Sequence, residues 1–162
     1  MASPGLQVER SVLVQATPDR VLAAFFRPAD LAAWWQVVRS VTVARPLGMY
    51  AVEWNSTEFR DEILGPLGGA FHGTVIEYRP DAEFFVADAY WNPPDGDPIG
   101  PMALEVRCTP QGSDLTGVVV RQSADDEGLR WQRYFEIVEA GWLRALGDLK
   151  HYLEAESSGA RP

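Results

Sequence analysis

The run EGLRWQRYFEIVEAGWLRALGDLKHYLEAE, Glu127 to Glu156, decides how the rest of the chain is arranged. Apolar side chains recur at Trp131, Tyr134, Phe135, Val138, Trp142, Ala145, Leu146, Leu149, Tyr152 and Leu153. Steps of three and four place them on one face of an α-helix. Arg130, Arg133, Glu136, Glu139, Arg144, Asp148 and Lys150 take the other face, which is too polar for a membrane span. No earlier stretch keeps that period over a comparable length. A helix that is apolar on one side needs a surface to cover, and the preceding hundred or so residues read mainly as strands. The expected architecture is a long helix on a curved sheet, with room for a cavity between the layers.

Working back from the helix, Leu6 to Gln15 alternates, with Val8, Val12 and Val14 on one side, as a half-buried strand does. Thr17-Pro18-Asp19 is a helix start, with Thr17 as N-cap and Pro18 at the first helical position. After Pro28, Asp30 to Trp35 forms a second short helix. Ser40 to Ala44 and Met49 to Trp54 flank a turn at Arg45-Pro46-Leu47-Gly48. Residues 55–69 read as a loop with room for a short irregular strand, and Phe71 to Tyr78 with Glu83 to Tyr90 as a hairpin. The segment 92–101, rich in proline, is expected to be irregular. Met102 to Thr109 and Asp114 to Ser123 complete the sheet. Strands joined by short connections pair antiparallel. The fold class is α+β: about six to seven antiparallel strands, two short helices after the first strand, and the long helix last. The 162 residues fit one domain, with an ordered core at about 6–156, a short lead-in over 1–5 and a polar tail from Ser157.

Composition narrows the function. A net charge of −9 disfavours nucleic acid and anionic membranes as partners. The single cysteine, Cys108, excludes an internal disulfide and suits a cytoplasmic setting, as does an N-terminus without a basic, apolar leader. No P-loop, dinucleotide fingerprint or Gly-x-Ser-x-Gly elbow occurs, and neither His72 nor His151 has the partners of a metal site, so no cofactor or metal is expected. Six Trp, five Tyr and seven Phe suit either a large core or an aromatic pocket.

Four segments together resemble one family. They are Ala16 to Val21 running on to Trp34-Trp35, Arg45 to Tyr50, His72-Gly73-Thr74-Val75-Ile76-Glu77-Tyr78-Arg79-Pro80, and Gly141-Trp142 with Leu146, Leu149, Lys150, Tyr152 and Leu153. In this order they resemble the SRPBCC superfamily, the START-like helix-grip fold of lipid-binding domains and polyketide cyclases. The branch most similar is that of the C-terminal domain of the activator of heat-shock-protein-90 ATPase. The second segment lacks the Gly-Gly pair common there. That branch's N-terminal chaperone-binding domain has no counterpart in these residues, which sets the expectation against a cochaperone role.

The resemblance implies a cavity under the terminal helix, and strand parity proposes its lining. With Glu53, Glu77, Glu105 and Arg121 facing water, Tyr50, Val52, Trp54, His72, Thr74, Ile76, Leu104, Val106, Cys108, Val118, Val120 and Gln122 turn inward. Tyr90 is expected beside them. Trp131, Phe135, Val138 and Trp142 close the space from the helix, with Trp34 and Trp35 at one end. A β-bulge would reverse the assignment beyond it. His72 facing the cavity could act as a general base; a structural histidine is the plainer alternative. Cys108 between strand residues reads as a buried, inert thiol. Glu58, Asp61 and Glu62 with Arg60 read as solvated surface, and Asp95 and Asp97 as a rim of the cavity mouth.

Three functions stay open: a binding protein for a small apolar, aromatic or lipid-like ligand, a cyclase- or hydrolase-like enzyme using the same cavity, and a chaperone- or regulator-binding module. The scarcity of inward titratable groups favours binding over catalysis. No exposed apolar patch of the third kind is legible. Monomer and homodimer are both compatible.

Overall fold

The computed structural model describes residues 5–159, with side chains through Glu156. The order is β1 (Leu6–Val14), α1 (Pro18–Ala23), α2 (Pro28–Trp35), β2 (Arg39–Thr42), β3 (Met49–Trp54), β4 (Arg60–Asp61), β5 (Gly65–Pro66), β6 (Gly69–Arg79), β7 (Glu83–Asn92), β8 (Ile99–Gly112), β9 (Leu115–Ala124) and α3 (Leu129–Gly159). Seven strands pair antiparallel in the order β1-β9-β8-β7-β6-β3-β2, and β4-β5 forms a separate small ribbon. Consecutive hairpins account for most of this order; β3 pairs β6 across the β4-β5 ribbon, and β1 closes against β9 with Val12 opposite Val118.

The helix starts follow the sequence logic. Pro18 and Pro28 both open their helices, where a missing N–H costs nothing. Thr17 occupies the N-cap position without bonding a backbone amide; it hydrogen-bonds Asp19 and so helps lower that carboxyl's pKa. The chain leaves α2 through Gln36, at φ 55° in the left-handed region. Two expectations are corrected here. The proline-rich segment is shorter than 92–101, because β7 runs to Asn92 and β8 begins at Ile99, taking Pro101 into the strand. The tail is shorter too, since α3 continues to Gly159; residues 1–4 and 160–162 lie outside the described residues.

Tyr134, Phe135, Trp142, Ala145, Leu146, Leu149 and Leu153 are buried along α3. They share one core with Val52, Phe84, Val86, Leu104, Val106, Val118 and Val120 of the sheet, all essentially inaccessible. Burying such side chains contributes roughly 1.5–3 kcal/mol each. Polar ties anchor the C-terminal half of α3. Asp30 accepts both Arg20 guanidinium nitrogens (2.8 and 2.9 Å) and the Tyr152 hydroxyl (2.6 Å). Arg20 also donates to Glu156 at 2.8 and 2.9 Å. Burial alone would raise the Asp30 carboxyl, but the Arg20 and Tyr152 hydrogen bonds outweigh it and the net shift is downward.

Candidate functional site

Against the first half of α3 lies a cleft of about 460 Å³. Its end wall is aromatic. Trp35, backed by the buried Trp34 at 5.0 Å, meets Trp54 at 5.1 Å and Trp142 at 5.0 Å. The Trp54 indole N–H donates to the Trp35 carbonyl (2.9 Å) and that of Trp91 to the Gly68 carbonyl (2.8 Å). Both rings therefore offer the cleft carbon, with their donors already used. Phe71, Trp91 and Leu104 line the sheet side, and Tyr134, Ile137, Val138 and Gly141 the helix side.

One polar group is buried beneath this space. Gln122 is 3% exposed. Its Oε1 accepts from the Trp142 indole N–H at 2.9 Å, and its Nε2 donates to the Tyr134 hydroxyl oxygen (3.2 Å) and contacts Met102 Sδ (3.1 Å). Burial pushes the Tyr134 phenol pKa up and keeps it neutral. At the mouth stand Gln36, Asn55, Thr57 and Arg144, all exposed. Arg144 forms no ion pair among the described residues.

The mouth is bounded by the loop 55–68, which supplies Leu64, Leu67 and Gly68. Asp61 fastens it. Far from solvated, Asp61 is 4% exposed. Its carboxylate accepts from the amides of Ile63 and Leu64 (3.0 Å each) and from Arg133 Nε on α3 (2.8 Å). The Arg133 hydrogen bond holds the Asp61 carboxyl below its ordinary value. Asp95 and Asp97 border a neighbouring polar depression with Arg60 and Arg130, not the cleft.

Of the lining expected from sequence, Trp35, Trp54, Leu104, Val138 and Trp142 meet at the cleft. Trp34, Tyr50, Val52, Val106, Val118 and Val120 point inward but are consumed by the core, each 1% exposed or less. Tyr50 is further fixed by donating to the Phe25 carbonyl at 2.8 Å. Trp131 and Phe135 pack on each other at 6.2 Å towards the start of α3 and stand outside the lining.

His72, Thr74, Ile76 and Tyr90 are corrected to the opposite face of the sheet. The buried residues of β6 are Phe71 and Val75, and Ile76 is 49% exposed beside an exposed Glu77. The register shifts between Val75 and Glu77, so counting back from Glu77 crosses a bulge and inverts every assignment before it. A second shift follows Val86, with Asp88 at φ 50°, which buries Ala89 and Trp91 and turns Tyr90 outward onto His72. Gly73 lies at the β6 irregularity, where a Cβ would come within 2.6 Å of the Val86 side chain. On this side of the molecule Val41, Leu47, Met49 and Ile76 are about half exposed or more, apolar surface that the sequence did not reveal. Cys108 is buried, and burial pushes its thiol up to about 12. Among the described residues no group of three His, Cys, Asp or Glu could hold a metal, and no helix is long and apolar enough to cross a membrane.

The profile of the polyketide cyclase / dehydrase and lipid transport family matches residues 5–158. The chain belongs to this family. Its fold is shared with solved proteins of the SRPBCC type. Protein MLL2253 from Mesorhizobium loti is 16% identical at TM-score 0.68, covering 92% of this chain and 97% of its own. The AHSA1 protein from Silicibacter pomeroyi is 15% identical at TM-score 0.66 (93% and 99%). The Aha1 dimer from Colwellia psychrerythraea is 16% identical at TM-score 0.61 (92% and 96%). Identities this low establish the shared helix-grip fold, not an activity. No curated protein matches the sequence.

Proposed function

We propose that this protein binds a small apolar molecule in the cleft between α3 and the concave sheet face, without chemical conversion. The observation that carries the reading is the cleft wall: Trp35, Trp54, Phe71, Trp91, Leu104 and Val138 converge there, and the donors of Trp54 and Trp91 are tied to carbonyls. Apolar walls with a few convergent polar groups are the usual form of a small-molecule site, and about 460 Å³ lies within the usual range of roughly 300–1,000 Å³. The family description, which joins cyclases with lipid transport, supports a ligand of this class.

Catalysis in the cleft would need a proton carrier. His72 lies on the other face of the sheet, and the ionisable groups in the lining are a phenol whose pKa is raised and an arginine. We extend the reading to a single domain acting in the cytoplasm. The test is titration with the neutral apolar dye Nile red. Saturable, one-to-one binding with a blue-shifted emission is expected. A signal that grows without saturating would mean diffuse adsorption, for instance on Leu47 and Met49, and would contradict the reading.

A further inference from the structure

The hydrogen bonds around Gln122 specify one more feature of the ligand. An indole N–H can only donate, so the 2.9 Å contact from Trp142 fixes which end of the Gln122 amide is oxygen. The amide nitrogen must then be the end that faces Tyr134, 3.2 Å away. An amide NH₂ can only donate, so the Tyr134 oxygen is the acceptor in that bond, and its own hydrogen is directed elsewhere. No described residue accepts it. Tyr134 is 6% exposed, held flat against Trp91 at 5.0 Å, and part of the cleft lining. The Tyr134 hydroxyl is thus a neutral donor, screened from bulk water, in a wall that is otherwise mostly carbon.

We propose that the Tyr134 hydroxyl is a recognition group for a carbonyl-type acceptor oxygen at the buried end of an apolar ligand. The proposal rests on the cleft being the binding site and adds the ligand's class: an apolar ketone, ester or similar molecule in preference to a plain hydrocarbon. A ligand lacking the oxygen leaves a buried donor unpaired, which is the larger penalty in hydrogen-bond recognition. Trp142 and Gln122 act as positioning residues. They set the direction of the Tyr134 donor without touching the oxygen themselves.

The experiment compares two probes of nearly the same shape, 2-acetylnaphthalene and 2-isopropenylnaphthalene, in which a CH₂ replaces the carbonyl oxygen. Calorimetric titration of the unaltered protein needs no variant to fold, and about tenfold tighter binding of the ketone is expected. In Tyr134→Phe the two affinities should converge, through weaker ketone binding and tighter alkene binding, since no donor is left to strand. The infrared carbonyl stretch of the bound ketone should lie lower in the unaltered protein than in the variant. Equal affinities in the unaltered protein would overturn the acceptor proposal and leave the apolar cleft standing as a site. If neither probe binds, the cleft reading itself falls, and this proposal with it.

Discussion

Gly141 offers a perturbation in which stability and binding should move in opposite directions. It lies in the middle of α3, borders the cleft, and a Cβ built on it meets nothing within 4 Å. Glycine inside a helix costs about 0.8–1 kcal/mol relative to alanine, and leucine is nearly as good a helix former. Gly141→Leu should therefore stabilise the fold by nearly 1 kcal/mol, a rise of about 2–4 °C in Tm for a chain of this size. The same side chain enters the cleft beside Val138 and Trp142, and Nile red affinity should fall at least tenfold. Gly147 supplies the control, because it too has open space around its Cβ and is not part of the lining. Gly147→Ala should raise Tm by a similar amount and leave the dye unaffected. Thermal unfolding by circular dichroism and fluorescence titration measure the two effects separately. A Gly141→Leu protein that unfolds several degrees earlier would mean the space beside the helix is not there. One that gains stability and still binds dye normally would refute the cleft as the site.

Other consequences follow from the polar groups. Gln122→Met keeps the length of the side chain but strands the Trp142 indole N–H, which is buried; a loss of about 1–3 kcal/mol is expected as a lower urea midpoint at unchanged slope. An unmoved midpoint would show that the amide does not hold the indole. Asp61→Asn removes the charge that fastens the mouth loop to Arg133, so Nile red should enter and leave several-fold faster in stopped flow, and unchanged rates would rule the loop out as a gate. Acid should weaken the fold through Asp30, Asp61, Glu154 and Glu156, all held below their ordinary values. Because the folded pKa is the lower one, their contribution is fully present above about pH 5 and is lost as pH falls through the folded values. Tm should accordingly drop below about pH 4, with a smaller drop in Asp30→Asn; equal drops would remove Asp30 from the account.

The period of Glu127–Glu156 carried most of the fold, because a helix this long and one-sided must lie against a sheet, and the short connections left the strands little choice but antiparallel pairing. Inward positions on β3, β8 and β9 followed simple alternation, including Gln122. On β6 and β7 alternation failed, since a bulge at Ile76 and another near Asp88 each insert a residue that composition does not announce. That is why His72 and Tyr90 were expected inside, where Phe71 and Trp91 stand instead. Most of the inward valines were legible as inward but not as core rather than lining, because alternation fixes the face of a strand and not what covers it. Asp61 was misread for another reason: its partner Arg133 is 72 residues away, beyond any local pattern.

The most direct test of ligand binding under α3 is the indole N–H region of a ¹H–¹⁵N spectrum during titration with 2-acetylnaphthalene. The indole signals of Trp35, Trp54 and Trp142 should shift together and saturate, while that of Trp131, outside the cleft, stays in place. Shifts confined to backbone amides of the opposite sheet face around His72 and Tyr90, with the indoles of Trp35, Trp54 and Trp142 unmoved, would contradict the account.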